Sequence, residues 1–175
     1  SGDHFRTFVD SIDLTQQGTI EFLVDLNQRL KDEIEYELRF EAGIQTCDET
    51  LALRRGSCRD TAVLMMYVLR QLGLASRFTS GYLVQLKVDE DAPDADDGPK
   101  EDSAELHAWT EVFLPGAGWI GLDPTSGLLA SEGHIPLASA SHPDSAAPVS
   151  GTVATSQCDF DYSMTLTRLE DTHHA

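Results

Sequence analysis

Hydrophobic residues recur between residues 20 and 34 with the spacing of a helix that buries one face. The periodic positions are Ile20, Leu23, Asn27, Leu30 and Ile34. Their i, i+3, i+7 spacing predicts an amphipathic helix. Residues 1–18 mix polar and apolar side chains without a strong period, and they are expected to form a poorly defined lead-in.

Two further helices are predicted downstream. The segment Thr46–Glu49 has the pattern of a capping box and predicts a short second helix that runs to about Arg54. Residues 55–57 break this helix. Residues 58–72 are apolar on more than one face, which predicts a third helix buried at the centre of the fold. Gly73 stands where a left-handed cap is expected.

After the third helix the pattern changes to the alternation that is typical of strands. Residues 77–88 alternate for most of their length, and residues 106–114 form a second predicted strand. Residues 115–118 predict a turn, and residues 119–122 predict a return strand that ends at Asp123. These segments therefore predict an antiparallel hairpin next to another strand.

The remaining segments complete one predicted domain over residues 1–175. Residues 89–105 are acidic with interspersed Pro and Gly, and they predict a mobile loop. Residues 124–147 are rich in Ser, Ala, Gly and Pro and predict an irregular segment. Residues 148–154 and 160–169 alternate and predict two closing strands. Helices followed by an antiparallel meander indicate the α+β class.

Composition narrows the range of functions. The chain has 175 residues with a net charge of −18, and its longest apolar stretches are far shorter than the ~20 residues of a membrane-spanning helix. So acidic a protein is expected to repel nucleic acids and anionic lipids and to attract cationic partners such as amines. The chain opens without a signal-like segment, from which a cytoplasmic location is expected.

The cysteines and acidic residues do not suggest a metal site. Cys47, Cys58 and Cys158 are odd in number and widely spaced, which predicts reduced thiols rather than disulfides or a zinc site. The eight acids between residues 89 and 102 lack an EF-hand pattern, so solvated loop charge is favoured over a calcium site. His134 and His142 have no evident partner in the sequence.

Cys58 has the position expected of an activated thiol. It follows Gly56-Ser57 at the first turn of the third predicted helix, where the helix dipole and Arg59 favour a thiolate. His107 begins a strand and supplies a base that titrates near neutral pH. Asp123 ends the hairpin partner of that strand, so it can lie beside His107 and orient the imidazole. Each residue alone also fits a structural role. The three residues together, in this order and at these positions, are more specific evidence for nucleophilic catalysis.

At these residues the sequence resembles the transglutaminase-like superfamily, in particular bacterial members described as cysteine proteases. The resemblance covers roughly residues 20–170. It is carried by Glu49-Thr50-Leu51, Gly56-Ser57-Cys58-Arg59-Asp60, the segment 69–82, His107-Ala108-Trp109-Thr110-Glu111-Val112 and the segment 118–125. It implies a papain-like core in which the nucleophile's helix packs against an antiparallel sheet. It also implies an N-terminal β-rich domain that this sequence does not show, from which the chain is expected to be a fragment of a longer protein.

The resemblance implies the roles of the site residues. Cys58 is expected to be the nucleophile, His107 the base and Asp123 the orienting acid, with no cofactor. The backbone N–H of Cys58 and the side chain of Tyr36, placed at the end of the first long helix, are expected to bind the oxyanion. Trp109 and Trp119 are candidates for an acyl-binding slot, although strand aromatics are more often core residues.

The activity expected from these residues is acyl transfer on amide bonds through a thioester. Peptidase, deamidase and transglutaminase activity all fit, with a peptide or protein amide as substrate and an amine as a further acceptor; hydrolysis is preferred. The alternative from another class is a non-catalytic protein- or peptide-binding module with the same fold. A metal-binding protein that uses Cys47, Cys58 and His107 fits the spacing less well.

Overall fold

A computed structural model of the chain describes residues 2–39, 41, 43–88, 99–147, 149, 151–152, 154–155 and 161–169. Cys158 and most of the predicted acidic loop lie outside the described residues. The helices are α1 (Asp3–Asp10), α2 (Thr19–Glu33), α3 (Cys47–Leu53) and α4 (Cys58–Gln71), followed late in the chain by a 3-10 helix (Pro143–Ala146). None of the described helices is long and apolar enough to cross a membrane.

The strands form two sheets. They are β1 (Glu35–Tyr36), β2 (Arg55–Gly56), β3 (Ser76–Gln85), β4 (Ser103–Leu114), β5 (Gly118–Asp123), β6 (Leu128–Leu129) and β7 (His134–Ala140). Strands β1 and β2 pair in parallel as a small separate sheet. The other strands form a five-stranded antiparallel sheet in the order β6-β5-β4-β3-β7. The predicted α+β class and papain-like arrangement are confirmed.

Helix α4 packs across the middle of the sheet, chiefly against β4. Its inner side chains are fully buried, and the Thr110 hydroxyl of β4 donates a 2.6 Å hydrogen bond to the Ala62 carbonyl of α4. One core cluster joins α1, α2 and α4 to β4 and β5, and another lies under the N-terminal half of α4. The helix that begins at Cys58 is therefore the central buried helix that the sequence predicts.

The predicted caps of the helices are confirmed. Thr46 and Glu49 form the capping box of α3, with the Glu49 carboxylate accepting a 2.7 Å hydrogen bond from the Thr46 N–H. Gly73 follows α4 with a φ of 84°, the left-handed conformation that glycine adopts without strain. These local signals place the start of α3 and the end of α4, the helix that carries Cys58.

The lead-in over residues 1–18 contains a helix that the sequence analysis missed. In α1, Phe5 and Phe8 are buried in the core, and the Phe5 N–H donates a 2.9 Å hydrogen bond to the Asp48 carboxylate of α3. Only two strongly apolar residues mark the buried face, so the helical period is too short to stand out. Tertiary packing rather than local pattern stabilises this helix.

Residues 124–147 are not irregular throughout, because β6 and β7 lie within them. Strand β7 turns its small residues Ala138 and Ala140 toward the core and leaves Ile135 and Leu137 exposed. This reversal of the usual pattern hides the strand from sequence analysis. The two predicted closing strands are wrong for the described parts of residues 148–154 and 160–169, which hold no strand.

Candidate active site

Cys58 is the first residue of α4 and is partly buried. The helix start is held by Asp60, whose Oδ2 accepts hydrogen bonds from the Ser57 N–H at 2.9 Å and the Ser57 hydroxyl at 2.8 Å. The Cys58 thiol thus stands at the positive end of the α4 dipole. The sequence predicted this position, but it gave no role to Asp60.

Asp60 also ties the preceding loop to the helix. Its Oδ2 accepts a 2.6 Å hydrogen bond from the Arg39 guanidinium, and its Oδ1 accepts a 2.8 Å bond from the Gln45 N–H. Burial raises the pKa of the Asp60 carboxyl, but these donors and Ser57 outweigh it and hold the pKa below its ordinary value. The carboxylate therefore stays ionised and holds the segment before α3 against the Cys58 end of α4.

His107 and Asp123 meet on adjacent strands of the sheet. The His107 Nε2 lies 3.0 Å from the Asp123 Oδ2, and both side chains are buried. Burial lowers the pKa of His107, but the hydrogen bonds with Asp123 and Cys58 outweigh it and raise the pKa to about 9. For Asp123, burial raises the pKa, and the bonds from His107 and His134 hold it far below its ordinary value. The proximity predicted for the two residues is observed.

His107 also interacts with Cys58, which is among the groups that raise the pKa of the imidazole. Because Nε2 is engaged by Asp123, Nδ1 is the ring nitrogen left to face the thiol. The imidazole therefore stands between the sulfur and a buried carboxylate, the arrangement that lets a histidine take a proton from a nucleophile and return it to a leaving group.

Asp123 is fixed by its own turn. Its Oδ1 accepts a 3.0 Å hydrogen bond from the Thr125 N–H, and its Oδ2 accepts one of 3.0 Å from the Ser126 hydroxyl. The buried Asn27 amide of α2 donates to the Asp123 carbonyl at 3.3 Å and to the Leu128 carbonyl at 3.0 Å. The Asp123 carboxylate thus holds its own turn and at the same time lies beside His107.

Tyr36 lies beside the site, though in a different element from the one expected. Helix α2 ends at Glu33, and Tyr36 belongs to β1, where it pairs with Gly56 of β2. Burial raises the pKa of the Tyr36 phenol, and the next cause is the charge of Cys58. This short parallel pair brings Tyr36 next to the loop that precedes Cys58.

The structure does not place the two tryptophans together in an acyl-binding slot. Trp109 is 1% exposed and packs under the site, with its ring centroid 6.3 Å from that of His107 and 5.1 Å from that of His134. Trp119 is half-exposed at the far end of β5, where it contacts Phe113 and lies under the Arg77 guanidinium. Strand geometry separates it from Asp123 by about 13 Å, at ~3.3 Å per residue.

His134 is a site residue that the sequence analysis missed. Its Nε2 lies 3.3 Å from the Asp123 Oδ2, the oxygen that also bonds His107. The sequence offered no partner for it because β7 was hidden. A His at the start of a strand that follows a Ser-Glu-Gly turn is the signal that could have found it.

His107, Asp123 and His134 place their ligand atoms within 4.8 Å of one another, a spacing that suits a metal ion. The hydrogen bonds of His134 favour a bond from His134 to Asp123 over a metal site. The Ser131 N–H donates a 3.1 Å hydrogen bond to His134 Nδ1, so the neutral ring carries its proton on Nε2. That nitrogen then donates to Asp123 and has no lone pair for a metal.

Comparison with known sequences gives a family and relatives. The sequence pattern of the transglutaminase-like superfamily matches residues 6–124. The uncharacterized protein Rv2569c of Mycobacterium tuberculosis is 31% identical over 137 residues, which are 76% of this chain and 42% of that protein. The uncharacterized protein ML0607 of Mycobacterium leprae is 32% identical over 116 residues, 66% of this chain and 38% of that protein. The chain thus spans less than half the length of these relatives.

Solved structures show the same fold. A proposed cysteine protease from Cytophaga hutchinsonii aligns with a TM-score of 0.62 at 21% identity, covering 83% of this chain and 44% of that one. The periplasmic domain of TgpA from Pseudomonas aeruginosa, bound to ethylmercury, aligns with a TM-score of 0.51 at 26% identity, covering 71% of this chain and 44% of that one. Because the superfamily pattern extends from α1 to the end of β5, the protein belongs to the transglutaminase-like superfamily.

Proposed function

We propose that the chain is a thiol-dependent acyl-transfer enzyme that acts on amide bonds. The observation that carries this proposal is His107, whose imidazole lies between the Cys58 thiol and the buried Asp123 carboxylate. The carboxylate stabilises the imidazolium, and the α4 N-terminus favours the thiolate, so both halves of a reactive ion pair are supported. Membership of the transglutaminase-like superfamily agrees with this chemistry.

In the first half of the reaction the Cys58 sulfur attacks the carbonyl carbon of the amide. A C–S bond forms, and the carbonyl oxygen becomes an oxyanion that the Cys58 N–H and the Tyr36 hydroxyl stabilise. The His107 imidazolium then gives its proton to the nitrogen as the C–N bond breaks. An amine leaves, and a thioester remains on Cys58.

In the second half His107 acts as a base. It takes a proton from water as the oxygen attacks the thioester carbon, and the C–S bond breaks to release a carboxylic acid and the Cys58 thiolate, which restores the thiolate–imidazolium pair. An amine in place of water would give a new amide. We propose hydrolysis of a peptide or protein amide as the main reaction, with transamidation as the competing outcome. A cytoplasmic location stays a prediction.

The test is the rate of iodoacetamide alkylation against pH, with the modified residues located by mass spectrometry. Cys58 is expected to react with an apparent pKa well below the ~8.5 of a free thiol, and His107→Ala is expected to raise that pKa. Cys47 is an internal control, because burial raises its pKa to about 11. Cys58→Ser should abolish the fast reaction.

The same measurement separates the enzyme from a binding module. An ordinary thiol profile for Cys58, unchanged by His107→Ala, would remove the base from the mechanism and favour a non-catalytic module. If Cys58 is activated, a screen of peptide amides with and without added amines distinguishes hydrolysis from transamidation by the mass of the product.

A further inference from the structure

Two histidines share one oxygen of Asp123. His107 Nε2 lies 3.0 Å from the Asp123 Oδ2, and His134 Nε2 lies 3.3 Å from the same atom. The His134 side chain is 7% exposed, so this contact is shielded from water. His107 comes from β4 and His134 from the first residue of β7, an edge strand that is separated from β5 by β3 and β4. The reaction proposed above gives no role to His134.

The hydrogen bonds of His134 define which nitrogen donates. The Ser131 N–H bonds Nδ1 at 3.1 Å, and the His134 N–H returns a 2.9 Å bond to the Ser131 carbonyl. A second proton on Nδ1 would face the Ser131 N–H, so this turn selects the neutral ring with its proton on Nε2. His134 therefore approaches Asp123 as a neutral donor that leaves the negative charge of the carboxylate in place.

Ring packing fixes the direction of this donor. The His134 ring lies edge-on to Trp109, with ring centroids 5.1 Å apart and an interplanar angle of 83°. It also meets the His107 ring edge-on, at 5.7 Å and 61°. His134 thus fills the space beside Asp123 and His107, and it can prevent the carboxylate from turning away.

We propose that His134 is a positioning residue that holds the Asp123 carboxylate on the His107 Nε2. It thereby keeps the His107 Nδ1 directed toward Cys58. This inference rests on the proposed function, because it assigns His134 to the same reaction. The groups that contact His107 include Asp123 from β5, His134 from β7 and Cys58 from α4. Loss of the donor would loosen Asp123 and stabilise the His107 imidazolium less. The pH range in which the Cys58 thiolate and the His107 imidazolium exist together would then be narrower.

The test compares His134→Leu with His134→Gln, because a glutamine side chain places an N–H donor at the same number of bonds from the backbone as the histidine Nε2. The control is His142→Leu, at a histidine that is 57% exposed and pairs with Asp144. The probe is iodoacetamide alkylation of Cys58 from pH 5 to 10. Thermal unfolding shows that each variant is folded.

We expect His134→Leu to lower the alkylation rate near neutral pH at least about ten-fold, a modest loss for a displaced reacting group. The apparent pKa of the alkylation profile should rise, because a weaker His107 imidazolium stabilises the Cys58 thiolate less. His134→Gln should restore most of the rate and of this apparent pKa, and His142→Leu should match wild type. Equal profiles for wild type and both His134 variants would overturn the inference, as would equal losses in Leu and Gln variants of unchanged melting temperature.

Nitrogen-15 NMR of the histidine rings in the wild-type protein makes this test independent of the proposed function. We expect the His134 proton on Nε2, and we expect the His107 pKa to fall in His134→Leu. A proton on Nδ1 of His134 would overturn the inference. An ordinary alkylation profile in wild type, together with the expected NMR result, would reject the proposed function and keep the link between His134 and Asp123.

Discussion

His107 and Asp123 lie 16 residues apart in the chain, yet the His107 Nε2 is 3.0 Å from the Asp123 Oδ2 in a buried environment. The antiparallel β4–β5 hairpin produces this contact, because its ladder pairs Thr110 with Leu122 and leaves Asp123 beside the strand that carries His107. The contact is thus a consequence of strand register. A slip of one residue in this register would turn the side chains of one strand to the other face of the sheet, so it would separate His107 from Asp123.

The protonation of His107 should depend on Asp123. In a Cys58→Ser background, which removes the thiol, we expect the pKa of His107 to stay above 6.5. The reason is that Asp123 raises the pKa of His107 more than Cys58 does. Adding Asp123→Asn removes the charge and leaves burial, the largest cause, to lower the pKa. Titration of the His107 ring signals by NMR measures both values. An unchanged pKa in the double variant would show that Asp123 does not stabilise the imidazolium.

Protein stability should fall as pH rises through the titration of His107. Below 6.5 the ring is protonated in both the folded and the unfolded state, so its contribution is fully present. Above 6.5 only the folded state keeps the proton, and the contribution is lost as pH approaches the raised folded pKa. In Cys58→Ser, which lacks the titrating thiol, the free energy of unfolding should decline by up to about 1.4 kcal/mol per pH unit.

Urea unfolding of Cys58→Ser at several pH values from 6 to 9.5 measures this decline. The matched control is the Cys58→Ser/His107→Gln double variant, which should lose most of the slope. A slope that persists unchanged in the double variant would assign the effect to other groups.

Replacing the buried Asp60 should lower the free energy of unfolding more than replacing an exposed aspartate. It is 1% exposed and pairs with Arg39, so Asp60→Ala leaves a guanidinium and several N–H donors without their partner. We expect a loss of about 3 kcal/mol or more, which is typical when one member of a buried ion pair is removed. Asp144→Ala, at a side chain that is 85% exposed, is the control and should change stability by less than about 0.5 kcal/mol.

Chemical denaturation of the two variants tests this prediction. The buried carboxylate also holds the loop before α3, so Asp60→Ala should make the Arg39 region more accessible to proteolysis. If Asp60→Ala lowers the free energy of unfolding no more than Asp144→Ala does, Asp60 does not hold the loop before α3 to helix α4.

The parts of the fold that follow from local pattern could be predicted. Helix α2, helix α4 and the β4–β5 hairpin each carry a long period or a strong turn signal, and they place Cys58 at a helix start and Asp123 at a strand end correctly. Strand β4 begins at Ser103, so His107 lies within the strand and not at its predicted start. The proximity of His107 and Asp123 follows from the antiparallel register. The resemblance to the superfamily supplied the packing of α4 on the sheet, which periodicity could not give.

The parts that depend on tertiary context were missed. Strand β7 shows small residues to the core and large ones to solvent, and it joins the sheet beside β3 through long-range pairing. His134 was therefore left without a partner. Asp60 received no role from the sequence, since its bonds to Arg39 and Gln45 cross loops that carry no pattern. Tyr36 was assigned to a helix because a strand of two residues has no detectable period.

Tyr36→Phe should separate oxyanion binding from thiol activation. Iodoacetamide alkylation forms no oxyanion, so the reactivity of Cys58 should be nearly unchanged in this variant. Turnover of a peptide amide identified by the screen should fall about 100-fold in kcat, the usual cost of one oxyanion donor. Tyr67→Phe, on the outer face of α4, is the control and should be neutral. Parallel losses in both assays would indicate that Tyr36 acts through packing.

Gly81→Ala should disturb β7 and the site together. A Cβ at Gly81 would lie within 2.0 Å of the Ile135 carbonyl oxygen, a backbone atom that cannot rotate away. The strand must shift, and Ile135 directly follows His134. We therefore expect a loss of more than about 2 kcal/mol in unfolding free energy and slower alkylation of Cys58 in the folded fraction. Gly18→Ala, where the added carbon meets its nearest neighbour at 3.6 Å, is the matched control. A destabilised Gly81→Ala that keeps the wild-type pH profile of Cys58 would show that the position of β7 does not govern the site.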